Sequence, residues 1–324
     1  MAELRYNPLL KDWTMVAASR QKRPDMPKDS CPFCPGSGKV PDQYDVHIYH
    51  NDFPVLSEHP PIPDDVGGSL YKTREAKGRC EVILYSSDHK ATIPDLSSAH
   101  MMKLVEAWEK TFQELEKDPA HQYVMIFENR GQEVGVTMPH PHGQVYAYPF
   151  IPLKVKTELA SCEEYYQEHG RNMFDDIIKE EKRFEKRIVL ENDSFIAFIP
   201  FFTDYPYGVH IVMKNQKTAI TEFTEDEKWD LGEMIHKVVG GMDKIYDRLF
   251  PYMMVMHQRP SDGKRYQDYY RFHVEFYPPL RGKNSIKYNA SSETGGWAAA
   301  NPMKVEETAP ILRQKIKEIK NNDE

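Results

Sequence analysis

Twice along the chain, apolar residues return at the three- and four-residue intervals of a helix face. Met101, Leu104, Val105, Trp108, Phe112 and Leu115 form one series; Leu231, Ile235, Val238, Met242 and Ile245 form the other. Thr224 followed by Glu227 reads as a capping box for the second helix. Each series lies between short apolar stretches with strand character. Glu81–Tyr85 leads through Asp88-His89-Lys90-Ala91-Thr92-Ile93 into the first, and Gly208–Val212 leads through Asn215–Ile220 into the second, 127 residues later. Beyond the helices, Tyr123–Phe127 matches Tyr252–Met256 at an offset of 129. Each copy then closes on a histidine-bearing strand ending in Tyr-Pro, His142 to Pro149 and His273 to Pro278, and at the same offset Gln144 aligns with His273. Four matched pieces in one order point to an internal duplication. Strands joined by one long helix and then by hairpins give an α+β fold, here one large antiparallel sheet with helices packed against it. The halves are taken as residues 1–165 and 166–324. The charged stretch from Lys154 to Lys186 reads as a helical connection, and a last helix is expected from Val305 to Lys320.

With 40% hydrophobic and 28% charged residues, the composition is that of a globular domain. No run of about 18 apolar residues predicts a membrane span, and the first residues, Met1-Ala2-Glu3-Leu4-Arg5-Tyr6, lack the apolar centre of a signal peptide. A cytoplasmic location is the expectation. The net charge of −8, from 42 basic and 50 acidic residues, argues against nucleic acid as a partner. An anionic substrate therefore needs a local group of cations.

Cys80 and Cys162 have no pattern around them. Cys31 and Cys34 form C-P-F-C, half of a tetrahedral zinc site, with Pro32, Pro35 and Gly36 bending the loop. A redox pair calls for a following helix N-terminus to activate a thiol; Pro-Gly-Ser-Gly-Lys follows instead. The other ligands must come from far along the chain, and His89 and His140 are the candidates. With all four positions filled by protein, the zinc is structural. It ties the loop to a residue two places from His142.

His140-Pro141-His142-Gly143-Gln144 carries the chemistry. Strand side chains alternate with period two, so His142 and Gln144 share a face. An imidazole nucleophile beside an amide, which cannot protonate a leaving group, suits transfer of a phosphoryl group and disfavours hydrolysis. Pairing the two histidines on one metal leaves Gly143 and Gln144 unexplained. The other ring nitrogen of His142 needs a partner to fix its tautomer, and the backbone carbonyl of His140 is the expected one.

Asn7-Pro8-Leu9, the basic run from Arg20 to Pro24, C-P-F-C, Asn51-Asp52-Phe53, Phe127-Glu128-Asn129, H-P-H-G-Q and Phe276-Tyr277-Pro278-Pro279-Leu280 occur in this order. Together they resemble the galactose-1-phosphate uridylyltransferase family of the histidine-triad superfamily, over nearly the whole chain. The resemblance implies a duplicated histidine-triad fold and a homodimer whose sites are completed by the partner. It implies exchange of UMP between UDP-glucose and galactose 1-phosphate through a uridylyl-histidine, with His142 as nucleophile and Gln144 donating to an α-phosphoryl oxygen. Arg20, Lys22 and Arg23 would meet phosphates; Val40, Asn51 and Asp52 the nucleoside; Asn129, Gly135, Val136 and Thr137 the phosphate and sugar. Lys287, Tyr288 and Glu293 match the hexose-phosphate segment, which departs from the family pattern at Thr294-Gly295-Gly296-Trp297. Glu158, His257 and His273 resemble three ligands of a second structural metal, iron or zinc, and Glu275 stands where a histidine is expected. A salt-bridged cluster without metal is the other reading of these four. The alternative activity is that of a related phosphorylase or adenylyltransferase acting on another sugar nucleotide or a dinucleoside polyphosphate.

Overall fold

A computed structural model describes residues 2–18 and 31–320. Strands β1 (Ala2–Asn7) and β2 (Asp12–Ala17) pair antiparallel. Then come β3 (His47–His50), β4 (Thr73–Glu75), β5 (Arg79–Leu84), helix α1 (Ser98–Leu115), β6 (Tyr123–Arg130) and β7 (His142–Tyr148). Helices α2 (Leu153–His169) and α3 (Met173–Phe184) lead to β8 (Ile188–Glu191), β9 (Phe195–Phe198), β10 (His210–Met213), α4 (Glu225–Tyr246), β11 (Tyr252–His257) and β12 (His273–Tyr277). A small hairpin of β13 (Leu280–Gly282) and β14 (Ser285–Ile286), then α5 (Ser291–Gly296) and α6 (Val305–Ile316), complete the chain.

Nine strands form the main sheet in the order β3-β5-β7-β6-β11-β12-β10-β9-β8, every pair antiparallel, while β2-β1-β4 form a separate small sheet. The α+β expectation holds. The order is a palindrome of the repeat: β5, β7 and β6 on one side of the centre mirror β10, β12 and β11 on the other. The halves join where β6 meets β11, with Phe127 opposite Val255.

Both repeat helices cover one face of this sheet. Ser97 caps α1 by accepting from the His100 N–H, and the Thr224–Glu227 capping box starts α4. The apolar stripe of α1, Leu104, Val105, Trp108 and Phe112, is fully buried against the sheet and α4. Each such aliphatic or phenyl side chain contributes roughly 1.5–3 kcal/mol. At Gly232 the helices approach so closely that a β-carbon would already touch Met101 at 3.5 Å. The charged stretch after Lys154 is two helices rather than one, because Gly170 takes a left-handed conformation and Asn172 caps a new start. Residue 165 lies within α2.

One expectation is corrected. The Tyr-Pro match aligned Gln144 with His273, but the side chains pair His142 with His273. His142 and His273 each bind, through Nδ1, the carbonyl two residues earlier, at 2.7 and 3.0 Å. Tyr146 donates to Gln144 as Tyr277 does to Glu275. The repeat is therefore His-Gly-Gln-Val-Tyr against His-Val-Glu-Phe-Tyr. A slip of two residues leaves every side chain on the same face, so apolar patterning cannot detect it.

Candidate active site

Strand β7 lies inside the sheet, with His142 opposite Leu84 and Gln144 opposite Val82 and Phe127. The two polar side chains emerge on one face into a cavity of about 760 Å³ that is also lined by Phe33, Tyr49, Asn51, Asp52 and Thr137. His142 borders a second cavity of about 600 Å³ as well, with Asn129 and Val136. The His140 carbonyl only accepts, so the 2.7 Å contact places a proton on His142 Nδ1 and leaves the lone pair on Nε2. The Tyr146 hydroxyl donates to Gln144 Oε1 at 3.2 Å, which keeps the amide NH₂ as a donor. Sequence reading missed Tyr146, although it follows Gln144 by two positions and so shares its face.

The four cysteine and histidine candidates converge. Cys31 Sγ is 3.7 Å from His140 Nδ1, and Cys34 Sγ is 3.4 Å from His89 Nδ1 and 3.8 Å from His140 Nδ1. Tetrahedral zinc at ordinary bond lengths spaces sulfur and nitrogen ligands by about 3.6 Å. Burial lowers the His140 pKa to about 4, so the ring is neutral. Its Nε2–H donates to the Ser86 carbonyl at 2.8 Å, which turns the Nδ1 lone pair toward the cysteines. Tyr44, missed by sequence reading, donates to the Phe33 carbonyl and lies 2.9 Å from the same Nε2. Burial pushes the Cys31 thiol up to about 11, opposite to what a redox thiol needs. The set fits a metal.

Asp52 is clamped by Lys39 at 2.9 Å and by the Tyr49 hydroxyl at 2.8 Å. Burial opposes its ionisation, but these two partners outweigh that and hold the carboxyl below its ordinary range. Val40 is buried behind the cavity with Phe33, Val82 and Leu84. Gly135 caps the turn before Val136 in a left-handed conformation that suits glycine. Lys287 is buried against the Tyr205 ring, Tyr288 is exposed and Glu293 closes on the backbone of Ala290; none of the three lines either cavity. Arg20, Lys22 and Arg23 lie outside the described residues.

In the second half, ligand atoms of Glu158, His257 and His273 lie within 4.8 Å of one another. Glu275 is not in that group. Its carboxylate takes Lys154 Nζ at 2.5 Å and the Tyr277 hydroxyl, with His210, His257 and His273 nitrogens each at 3.4 Å. Burial opposes ionisation here too, yet the surrounding histidines and Lys154 hold Glu275 well below the usual carboxylate range. Lys154 and His210 were not foreseen. His210 faces Glu275 from the neighbouring strand, a pairing that only the register reveals.

A sheet built from two copies of one α+β unit, with an imidazole nitrogen and an amide donor on one strand face, defines a histidine-dependent nucleotidyltransferase. Comparison with known proteins makes this particular. Residues 1–152 match the N-terminal and residues 158–291 the C-terminal domain of galactose-1-phosphate uridyl transferase. The chain is 38% identical over 320 residues to galactose-1-phosphate uridylyltransferase of Thermotoga maritima, covering 98% of this chain and all of that one. It is 31% identical to the Saccharomyces cerevisiae enzyme of that name, over 87% of this chain and 86% of the other. A solved uridylyltransferase structure superposes with a TM-score of 0.89 at 31% identity, over 98% of this chain and 99% of that one. An ADP-glucose phosphorylase from Arabidopsis thaliana, 23% identical with a TM-score of 0.74, shares the fold. The chain belongs to the galactose-1-phosphate uridylyltransferase family.

Proposed function

We infer that this enzyme exchanges UMP between UDP-glucose and galactose 1-phosphate through a uridylyl group on His142. The observation that carries the residue assignment is the His142 lone pair on Nε2, set by the bond from Nδ1 to the His140 carbonyl, beside an amide that donates but cannot protonate. In the first step Nε2 attacks the α-phosphorus of UDP-glucose. The bond from that phosphorus to the bridging oxygen breaks, and glucose 1-phosphate leaves with the electron pair. Charge develops on the non-bridging oxygens, where the Gln144 NH₂ donates; such a donor contributes roughly 3 kcal/mol to a transition state. The ring gains positive charge as the N–P bond forms, and its Nδ1–H bond to the His140 carbonyl strengthens. In the second step a phosphate oxygen of galactose 1-phosphate attacks the same phosphorus, the N–P bond breaks and UDP-galactose departs. A phosphate leaving group needs no acid, which is why an amide suffices at position 144.

Asp52, held ionised by Lys39 and Tyr49, is placed to accept from ribose hydroxyls, with Asn51 and Val40 beside it. Asn129, Gly135, Val136 and Thr137 frame the phosphate and sugar, and Lys287, Tyr288 and Glu293 belong to the hexose-phosphate segment, reached across a homodimer together with Arg20, Lys22 and Arg23. We assign zinc to Cys31, Cys34, His89 and His140, in a cytoplasmic enzyme; bound there it supplies rigidity to the loop and to His140, not chemistry. A second metal at Glu158, His257 and His273 would be structural, with Glu275 kept on Lys154. Among the described residues no helix is long and apolar enough to cross a membrane.

Steady-state kinetics with UDP-glucose or ADP-glucose and galactose 1-phosphate test the assignment. The expected result is a ping-pong pattern with strong preference for the uridine nucleotide; equal use of ADP-glucose sinks it. Metal analysis is expected to find zinc that Cys34→Ser loses, and a second equivalent lost in His273→Ala if the second cluster holds a metal.

A further inference from the structure

Gly143 lies between the nucleophile and the amide, and its inner side has no room for a side chain. A β-carbon there would stand 2.2 Å from the Tyr85 hydroxyl oxygen, 3.0 Å from its Cζ and 3.2 Å from the Phe127 carbonyl oxygen. Tyr85, 1% exposed, directly follows β5. Its backbone N–H donates to the Pro141 carbonyl at 2.9 Å, so one residue holds the reactive segment on both sides of His142. Its own carbonyl is bound by His100 Nε2 at 2.7 Å, in the first turn of α1.

Beneath the ring is a polar group inside an apolar core. Glu128 on β6 is 5% exposed and accepts from the Tyr252 hydroxyl at 3.1 Å. The Tyr85 hydroxyl, Trp108 Nε1 and the second carboxyl oxygen of Glu128 are buried without a hydrogen-bond partner among the described residues. Burial pushes the Glu128 carboxyl up to about 7, against the pull of Arg130 and of the hydrogen bond from Tyr252. A carboxyl, a hydroxyl and an indole left this close beneath a reactive strand are costly to bury. Ordinary packing of the sheet does not call for them: the same sheet face carries Val124 and Ile126 on β6.

We propose that Tyr85, seated by Glu128, Tyr252 and Trp108, is a positioning residue for uridylyl transfer: its ring is the platform that sets the height of Gly143, and with it the spacing of His142 Nε2 and the Gln144 amide around the α-phosphorus. The inference rests on the function given above. In-line attack is sensitive to such spacing, since a misplacement near 1 Å costs roughly 100-fold in rate.

The test uses the intact enzyme and α-phosphate-labelled UDP-glucose in single-turnover mode, with kcat and KM measured alongside. Tyr85→Phe keeps the ring and Glu128→Gln keeps the shape. Each is expected to slow label formation roughly 10- to 100-fold, with KM for UDP-glucose within about twofold and the fold intact by circular dichroism. Gly143→Ala is expected to lose more, and adding Tyr85→Phe to it to restore part of the rate, because the atom nearest the new methyl is gone. Unchanged labelling rates in both single variants, with only lowered melting temperatures, overturn the proposal, as does a double variant that is merely additive. If the unaltered enzyme takes no label, the proposed function fails; label on the unaltered enzyme with unaffected variants means that only the platform fails.

Discussion

On β7 the order is His142-Gly143-Gln144-Val145-Tyr146; on β12 it is His273-Val274-Glu275-Phe276-Tyr277. Both histidines hold Nδ1 on the carbonyl two residues back, and both tyrosines donate to the residue between. Three exchanges separate them, and the two nearest the histidine change the site. An amide can donate to a phosphoryl oxygen; a carboxylate in its place repels phosphate and gathers donors, as Glu275 does with Lys154 and its neighbouring histidines. Gly143 leaves space for a hydroxyl beneath the strand, whereas Val274 fills that space with apolar volume and is fully buried. One scaffold thus yields a site for an anion in transit and a site closed by its own charges. The lesson is that the hydrogen-bonding character of one residue beside a histidine decides what the histidine meets.

The comparison breaks most directly at the histidines. His142→Ala is expected to lower kcat by roughly 10⁴-fold or more, as loss of a covalent nucleophile does, while His273→Ala stays within about tenfold; steady-state assay of both decides, and equal losses would erase the distinction. Next come the neighbours. Gln144→Ala is expected to lose about 10²- to 10³-fold in kcat, and Glu275→Gln little of it. Lys154→Met is expected to lower stability to urea by about 1–2 kcal/mol, less than a fully buried pair because the lysine is 57% exposed, with kcat unchanged.

The smallest effect is a pH dependence. Glu128 faces Arg130, Tyr85 and Tyr252, with Asp243 beyond Arg130. Its folded pKa, about 7, is raised above the ordinary carboxylate value. The folded state therefore holds a proton that the unfolded chain has released between about pH 4.5 and 7, and stability falls across that window as pH rises. Glu128→Gln removes this slope. Urea midpoints at pH 5 and pH 7 are expected to differ less in the variant than in the parent; an equal difference places the Glu128 pKa near its unfolded value.

Much of this was legible in the chain. Spacing alone placed α1 and α4, because a buried helix stripe repeats every three or four residues. H-P-H-G-Q placed His142 and Gln144 on one face, and C-x-x-C found two partners that converge on it from 55 and 106 residues away. What stayed hidden depends on register. A two-residue slip preserves every face, so the true repeat needed side-chain hydrogen bonds to reveal it. Lys154 and His210 around Glu275, and Tyr85 beneath Gly143, come together only through strand pairing and helix docking, where separation in sequence carries no signal. The single charged connection expected after Lys154 became two helices because Gly170 and Asn172 end one and start the next.

In the proposed function His142 alone carries the uridylyl group. Mixing the enzyme with α-phosphate-labelled UDP-glucose in the absence of acceptor, then digesting it under alkaline conditions, locates the label. The expected result is one acid-labile, base-stable label, on the peptide containing His142, discharged by galactose 1-phosphate. Label on the peptide containing His273, or turnover of both substrates with no protein-bound label, would contradict it.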